Sequence, residues 1–506
     1  MIDSIITGMQ TAFLPVSLLF TALGVAIGIL GGAMPGINGA ITTALVLPFT
    51  FHMEPEQALM LLLGIYIGVQ YGGSIPAILI GTPGTPAAGA TLIDGFPLRQ
   101  QGKAGLALYT SLVSSSIGTI ISGFVLILIA LPLAKAALSF GPAEYFALGV
   151  LGLTMIVSLS EENIFKGLFA GALGLLLSTV GMDEFLGVSR FGFGLVDLAS
   201  GIDPVPAMMG FFALGQMFMD FWKPPQLESV EGKVKMKRFE KGVFRRLLPT
   251  TIFSGIIGVI IGALPGTGAS VASFVAYNQV KQMSKNSHEF GSGRLEGVAA
   301  SEAANNGVTG GALIPMLGLG IPGSGTTAVM LSALIIHGVT PGPNLFISNP
   351  EIPYSMFITV FSATLFMFLF GLLYTRLFLR IVLLPQSILN STIVLIVLTG
   401  AYAVERDVFD IILVLLFGFI SYLLRRCKIP ITPIILGLVL GGTVERSMRR
   451  ALIISHGSWS TFFIRPISCI MFILAALTLV AIIWKTYIKK GSSTGSANKD
   501  EKTAKV

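Results

Sequence analysis

Charge is scarce in this sequence: of 506 residues only 11% are Asp, Glu, Lys or Arg, against roughly 25% in a soluble domain. With 53% hydrophobic residues and a mean hydropathy of +0.84, that scarcity excludes a water-soluble globular chain. Cysteine is nearly absent. Cys427 and Cys469 match no metal or redox spacing, so no disulfide and no metal is expected, and each thiol reads as buried, inert packing. The four histidines (His52, His288, His337, His456) are scattered, and His337, in an apolar run, reads as a packed or boundary residue. No Walker A sequence and no H-E-x-x-H occurs, so ATP hydrolysis and zinc proteolysis lack their residues. GLGIPG at residues 318–323 fits G-x-G-x-x-G formally, but no βαβ pattern surrounds it and its proline would spoil the helix start. Residues 1–34 show neither a basic n-region nor a cleavage site, so this segment is expected to stay as a span.

What the sequence does contain is apolar stretches of spanning length, recurring from near Phe13 to near Trp484, enough for about 12 passes. The fold class is therefore an all-α polytopic membrane protein. The net charge of +7 is concentrated in loops. Lys223, Lys233, Lys235, Lys237, Arg238, Lys241, Arg245 and Arg246 form the densest cluster, and the tail from Lys489 is basic, polar and expected to be disordered. Both are expected on the cytoplasmic side. Neither accompanies a basic module with stacking aromatics, which excludes nucleic-acid binding.

An internal repeat organises the chain. GAMPGIN (residues 32–38) is echoed by GALPGT (262–267), and IPAILIGTPGTP (75–86) by IPMLGLGIPGSG (314–325). Pro76 pairs with Pro315, Gly81 with Gly320, Pro83 with Pro322, Gly84 with Gly323, and later Pro206 and Gly210 with Pro433 and Gly437. The expected division is a first transmembrane repeat over 1–222, a basic linker over 223–247 and a second repeat over 248–450. An interfacial segment with a final span (451–488) and a tail (489–506) follow. Matching loops carry opposite charge bias. HMEPEQ (52–57) has no basic residue where its counterpart has Lys281, Lys285 and Arg294. Arg99 and Lys103 follow the first Gly/Pro segment, while 339–350 has no Lys or Arg, and the loop holding Asp183 and Glu184 is matched by RRCK (425–428). Opposite bias at equivalent positions predicts inverted-topology repeats. Arg446, Arg449, Arg450 and Arg465 do not fit that scheme. They read either as snorkelling residues of an interfacial helix or as attractors of an anion or a partner.

Non-helical backbone survives at membrane depth only where protein or a wet cavity satisfies it. GTPGTP and GIPGSG are expected to break their helices between apolar runs too short to span alone, through Pro83 and Pro322. PGING (35–39) and PGTG (265–268), with Pro35 and Pro265, read as tips of paired short helices or re-entrant hairpins. Matched breaks in two halves point to a transporter's binding site, because half-helix N-termini aim N–H groups at an anion. The candidate binding groups there are Gly36, Asn38, Thr82, Gly84, Thr85, Gly266, Thr267, Ser270, Asn305, Asn306, Gly323, Ser324, Thr326 and Thr327, whose oxygens would also suit a coupling Na⁺. Glu302 is either a functional carboxylate near membrane depth or a boundary residue in water. Asp94 reads as a cap of a helix or turn. Glycine pairs such as Gly28/Gly32, Gly64/Gly68 and Gly258/Gly262 predict close helix packing.

Long motifs carry a family resemblance: GGAMPGINGAITTALVLPFTF (31–51), YGGSIPAILIGTPGTPAAGATLIDGFPL (71–98), EAANNGVTGGALIPMLGLGIPGSGTTAVMLSALIIHG (302–338) and RALIISHGSWSTFFIRPIS (450–468). With them the chain resembles the large membrane subunit (permease) of the tripartite tricarboxylate transporter family, over nearly its whole length to about residue 480. The resemblance implies a small membrane subunit and a periplasmic solute-binding protein as partners, and uptake of tricarboxylates, dicarboxylates or related organic acids across the bacterial inner membrane. It implies an ion gradient as the driving force, Na⁺ or alternatively H⁺, with no ATP and no cofactor. The family's signature positions fall on Pro35, Gly36, Asn38, Thr82, Pro83, Gly84, Thr85, Asn305, Asn306, Pro322, Gly323 and Ser324. Gly442 departs from the proline expected there. Elevator-type movement is suggested by analogy. The competing readings are a membrane-embedded enzyme, for which no nucleophile–base pair or metal is visible, and a passive channel or scaffold, which would not need two matched breaks.

Overall fold

The computed structural model describes residues 2–34, 36–157, 164–183, 185–221, 236–266, 268–373, 386–478 and 480. Pro35, Thr267, Glu184, most of the linker and the tail lie outside these. Apart from a two-residue ribbon pairing Gly181–Met182 antiparallel with Ser189–Arg190, the described residues form helices and their connections. Six helices are long and apolar enough to cross a membrane: Pro15–Ala33, Pro55–Leu79, Ala104–Ala137, Val243–Gly262, Glu351–Leu373 and Val408–Arg426. Shorter apolar helices accompany them, among them Gly39–Thr50, Phe165–Leu177 and Gly325–Ile336.

Helices follow the same order in both halves. Pro15–Ala33, a turn and Gly39–Val46 are matched by Val243–Gly262, a turn and Gly268–Met283. The buried helix Pro55–Leu79, a break and Ala88–Gln100 are matched by Leu295–Leu319, a break and Gly325–Ile336. Backbone conformation agrees at the paired glycines. Gly36 and Gly266 have φ of +91° and +83°, and Gly81 and Gly320 have +72° and +73°. Each pair sits in the left-handed region that residues bearing a Cβ avoid.

The expected close packing is present in both halves. Cβ atoms added at Gly64, Gly68 and Gly72 would lie 2.4–2.6 Å from the carbonyl oxygens of Thr21, Val25 and Ile29, so the two helices meet backbone to backbone. In the second half, Gly307 and Gly311 stand in the same relation to the carbonyls of Gly255 and Val259. Ala104–Ala137 joins the second seam: a Cβ at its Gly118 would lie 2.2 Å from Ala303 O, and its buried Ser111, Ser115 and Ser122 face inward.

Two expectations about these elements need correction. The run before the first break is not too short to span, since Pro55–Leu79 has 25 residues and is apolar enough to cross; Leu295–Leu319 has the same length but is not among the six apolar spans. Both helices continue past the buried Pro76 and Pro315 and end at Leu79 and Leu319, ahead of Pro83 and Pro322. Only the arms after the breaks are short, at 13 and 12 residues. Second, Cys427 is exposed, not buried: it lies past the last turn of Val408–Arg426, outside the packed helix.

The chain divides into two compact units. One comprises residues 1–139 and 203–423 and holds every Gly/Pro break; the other comprises 140–202 and 424–506. In the second unit, Gly174 and Gly437 bring Ile164–Leu177 and Thr432–Ile454 into backbone contact. Its arginines are mostly spoken for. Arg449 lies 2.9 Å from Asp183 and 2.8 Å from Glu445, Arg190 lies 2.8 Å from Glu445, and Arg465 donates to Glu144 at 2.6 Å. Internal ion pairs thus replace the snorkelling or anion-attracting roles expected of Arg449 and Arg465. The backbone N–H groups of Leu186 and Phe185, and then Arg449, hold the Asp183 carboxyl below the usual carboxylate range.

Candidate functional site

The first turn, after Pro15–Ala33, ends at Asn38, whose side chain caps Gly39–Val46 by accepting from Ile41 N at 3.0 Å. Short polar side chains are favoured there because the first amides of a helix lack partners. The second break ends at Ser324, which caps Gly325–Ile336 in a capping box with Thr327. These two helix starts belong to different halves and converge: a Cβ on Gly39 would lie 2.6 Å from Thr326 Oγ1. The other two arms also meet, though not start to start. Gly89, at the start of Ala88–Gln100, faces Phe274 of Gly268–Met283, 3.3 Å from where its Cβ would be. Each half therefore lays its short arm against the hairpin arm of the other.

Both breaks approach one face of Pro55–Leu79. Tyr66 OH lies 3.4 Å from Ser324 Oγ at the second break. One turn on, the carbonyl of Gln70 accepts from Asn305 Nδ2 at 2.9 Å. Gly73 meets the first break, its carbonyl accepting from Gly84 N at 3.1 Å and its Cα facing Thr85 Oγ1. From residue 66 to residue 73 is about 10 Å along a helix, so the two breaks lie near each other. They are sheltered: Gly84, Thr85, Pro322, Gly323 and Thr326 are buried, and Thr82, Pro83 and Ser324 half-buried.

At that face Thr85 Oγ1 and Asn305 Oδ1 are buried with no hydrogen-bond partner among the described residues, and so is Asn306 Oδ1 on the next position of Leu295–Leu319. Buried acceptors of this kind are rare and call for an explanation. Asn306 Nδ2 is held by Glu302 O at 3.1 Å, which fixes its oxygen. At the second hairpin, Gly266 N donates to Gly323 O at 2.9 Å, tying tip to break within one half. Pro265 and Ser270 are half-buried beside it. Pro35 and Thr267 lie outside the described residues.

Three groups at this place were not singled out in the sequence. Tyr66 and Gln70 look like ordinary members of an apolar run, and only their spacing of four residues could have put them on one face. Asp220 belongs to Gly215–Asp220, which follows a turn of π-helix at Met209–Leu214; its Oδ2 would be 2.9 Å from a Cβ on Gly36. Its Gln216 neighbour donates to both carboxylate oxygens at 3.1 Å. Asp94 does cap a turn, but one of the other half. Its Oδ1 accepts from the amides of Gly291, Gly293 and Arg294 at 2.8–2.9 Å and its Oδ2 from Tyr277 OH at 2.9 Å. Glu302 is fully buried, which excludes the boundary position in water.

Known proteins can be set beside this geometry. The profile of the tripartite tricarboxylate transporter TctA family matches residues 18–436. An uncharacterised 52.8 kDa protein from the TAR-I ttuC' 3' region of Agrobacterium vitis is 37% identical over 468 residues, covering 92% of this chain and 93% of that protein. A second, from the TAR-II ttuC' 3' region of the same organism, is 35% identical over 226 residues, 45% of this chain and 92% of that protein. No solved structure matches. The match spans both hairpin tips and both breaks, and with its apolar helices it makes this a multi-pass membrane protein: the chain belongs to the tripartite tricarboxylate transporter TctA family.

Proposed function

We propose that this chain is the translocation subunit of an ion-coupled secondary carrier that imports small carboxylates across the bacterial inner membrane. The observation that carries the reading is the crossing of the halves: each half's short arm lies against the hairpin arm of the other, one pair meeting start to start, near a shared helix face with the unpartnered buried oxygens of Thr85 and Asn305. A helix N-terminus favours an anion by about 0.3 to 1 kcal/mol, and up to about 2 when partly buried. Several together can hold a carboxylate without a buried lysine or arginine, whose ionised side chain costs at least about 2.5 kcal/mol at the bilayer centre once the ligand leaves. Release therefore stays easy, as turnover requires. Thr85, Asn305 and Asn306 would offer oxygen atoms to a coupling Na⁺.

Two inverted repeats with re-entrant hairpins and about 12 spans would place matched starts at the midplane from opposite sides. Alternating access would follow by elevator-type movement of the broken core against the rest. The small membrane subunit and the periplasmic binding protein would complete the carrier, with substrate choice resting largely on the latter. To test this, the chain is reconstituted with both partners in liposomes and labelled citrate and related acids are followed. Accumulation driven by an imposed Na⁺ gradient is expected. Equilibration without saturation would instead mark a channel. Asn306→Ala and Thr82→Ala should each reduce uptake at normal membrane abundance, and wild-type uptake in both would remove them from the site.

A further inference from the structure

Val243–Gly262 turns an apolar stripe outward. Ile252, Phe253, Ile256 and Ile260 are exposed on it, and spacings of three and four residues put them on one face of the helix. Thr251, Ser254, Gly255 and Gly258 are buried on the other. Arg245, seven residues before Ile252 and eight before Phe253, heads the exposed face and is itself exposed. Just before the helix, residues 236–242 add Lys237, Arg238 and Lys241. These cations are held at fixed positions. Lys237 N donates to Gly105 O at 3.1 Å, and Phe239 packs edge-on against Tyr109 with ring centroids 4.8 Å apart, both partners lying on Ala104–Ala137. Gly242, with a φ of +90°, then turns the chain into the helix.

Charge at this end of the helix is unbalanced. Lys237 pairs with Glu240 at 3.3 Å and Arg246 with Glu296 at 3.2 Å. Among the described residues, no carboxylate lies within ion-pair distance of Arg238, Lys241 or Arg245, and the first turn of the helix holds no acid. All three side chains are exposed. They stand where the apolar stripe ends, the level at which a bilayer presents its headgroups. Long basic side chains there lay their stems on apolar surface while the charge reaches outward. A guanidinium also offers a fork of donors that matches phosphate oxygens. An acidic protein segment would match the charge and leave the stripe below it uncovered. A phospholipid matches both, with its phosphate and its acyl chains.

We propose that Arg238, Lys241 and Arg245 bind the phosphate of an anionic phospholipid, phosphatidylglycerol or cardiolipin, whose acyl chains lie along Ile252, Phe253, Ile256 and Ile260. The site would hold lipid whether or not the chain carries carboxylate, so binding is measured without transport. The purified chain in nonionic detergent is titrated with cardiolipin, phosphatidylglycerol and phosphatidylcholine of matched acyl chains, and bound lipid is counted by native mass spectrometry. The wild type should bind both anionic lipids more tightly than phosphatidylcholine. At roughly fivefold per cation removed, Lys241→Gln/Arg245→Gln should weaken cardiolipin binding at least about tenfold and leave phosphatidylcholine unchanged. Lys281→Gln/Lys285→Gln removes the same charge from the end of Gly268–Met283 and should keep the wild-type affinity. Equal weakening by both pairs, or none by the first, overturns the proposal. Displacement of bound cardiolipin by inorganic phosphate alone overturns it too, since a bare anion would then suffice. Should Lys241→Gln/Arg245→Gln fail to fold, Arg238→Gln must still weaken cardiolipin binding several-fold, and an unchanged affinity counts against the lipid site equally.

Discussion

Pro55–Leu79 and Leu295–Leu319 are two versions of one helix. Both have 25 residues, both are buried along their length, and both pack through glycines spaced by four against the helix that opens their half. Each ends in a break whose first glycine has nearly the same φ. Their side chains differ. The first carries Tyr66 and Gln70 among apolar residues, and the second carries Glu302, Asn305, Asn306 and Thr309. Tyr66 and Asn305 occupy equivalent places, yet one reaches the opposite break with a phenol and the other reaches Gln70 O with an amide. The backbone plan is common to both halves, and the polar chemistry has been given to one.

The same asymmetry runs into the short arms, and breaking it there should have the largest effect. Ala88–Gln100 carries Asp94, which holds three amides of the turn before Leu295–Leu319; Gly325–Ile336 has no carboxylate at all. Asp94→Ala orphans three part-buried donors at about 1 to 3 kcal/mol each. We expect a loss of at least about 3 kcal/mol, seen as lower thermal stability in detergent and faster amide exchange over 289–296. Exchange over the matching 50–56 should not change. Equal acceleration in both would mean that Asp94 supports the whole core, not one half.

A smaller effect tests the shared plan itself. A Cβ at Gly68 would lie 2.5 Å from Val25 O, and one at Gly307 also 2.5 Å from Gly255 O. Because the obstacle in each case is backbone, neither helix can yield by turning a side chain. Gly68→Ala and Gly307→Ala should therefore destabilise by similar amounts, about 1 to 3 kcal/mol. A variant tolerated in one half and not in the other would show that the seams have diverged.

Much of this was legible in the sequence because it is written in glycine and proline. The spacing Gly28/Gly32 and Gly64/Gly68 predicts backbone contact, and the pairs Gly36/Gly266 and Gly81/Gly320 mark turns that only a missing Cβ favours. The reach of helices past Pro76 and Pro315 was not legible, since burial supplies the shelter that a proline's lost hydrogen bond requires. Nor was the ion pairing of Arg449 and Arg465. Their partners, Asp183 and Glu144, lie hundreds of positions earlier, and charge bias in loops reports topology without reporting pairs. Asp220 escaped for a similar reason: nothing local to residue 220 says that Gly36 will lie beside it.

Tyr66→Phe should have the smallest effect and sharpen the comparison most. At 3.4 Å, its contact with Ser324 Oγ is at the outer limit of a hydrogen bond. Ser324 keeps its capping partners without it, accepting from Thr327 N at 3.2 Å, so no buried group is orphaned. Stability should fall by less than about 1 kcal/mol. If the phenol serves only to seat the second break, uptake by Tyr66→Phe should fall no more than stability does. If it instead touches the carboxylate during the cycle, the apparent KM should rise several-fold while thermal stability stays within error. That outcome would mean the first helix also retains a binding group, and that the polar chemistry is shared between the halves after all.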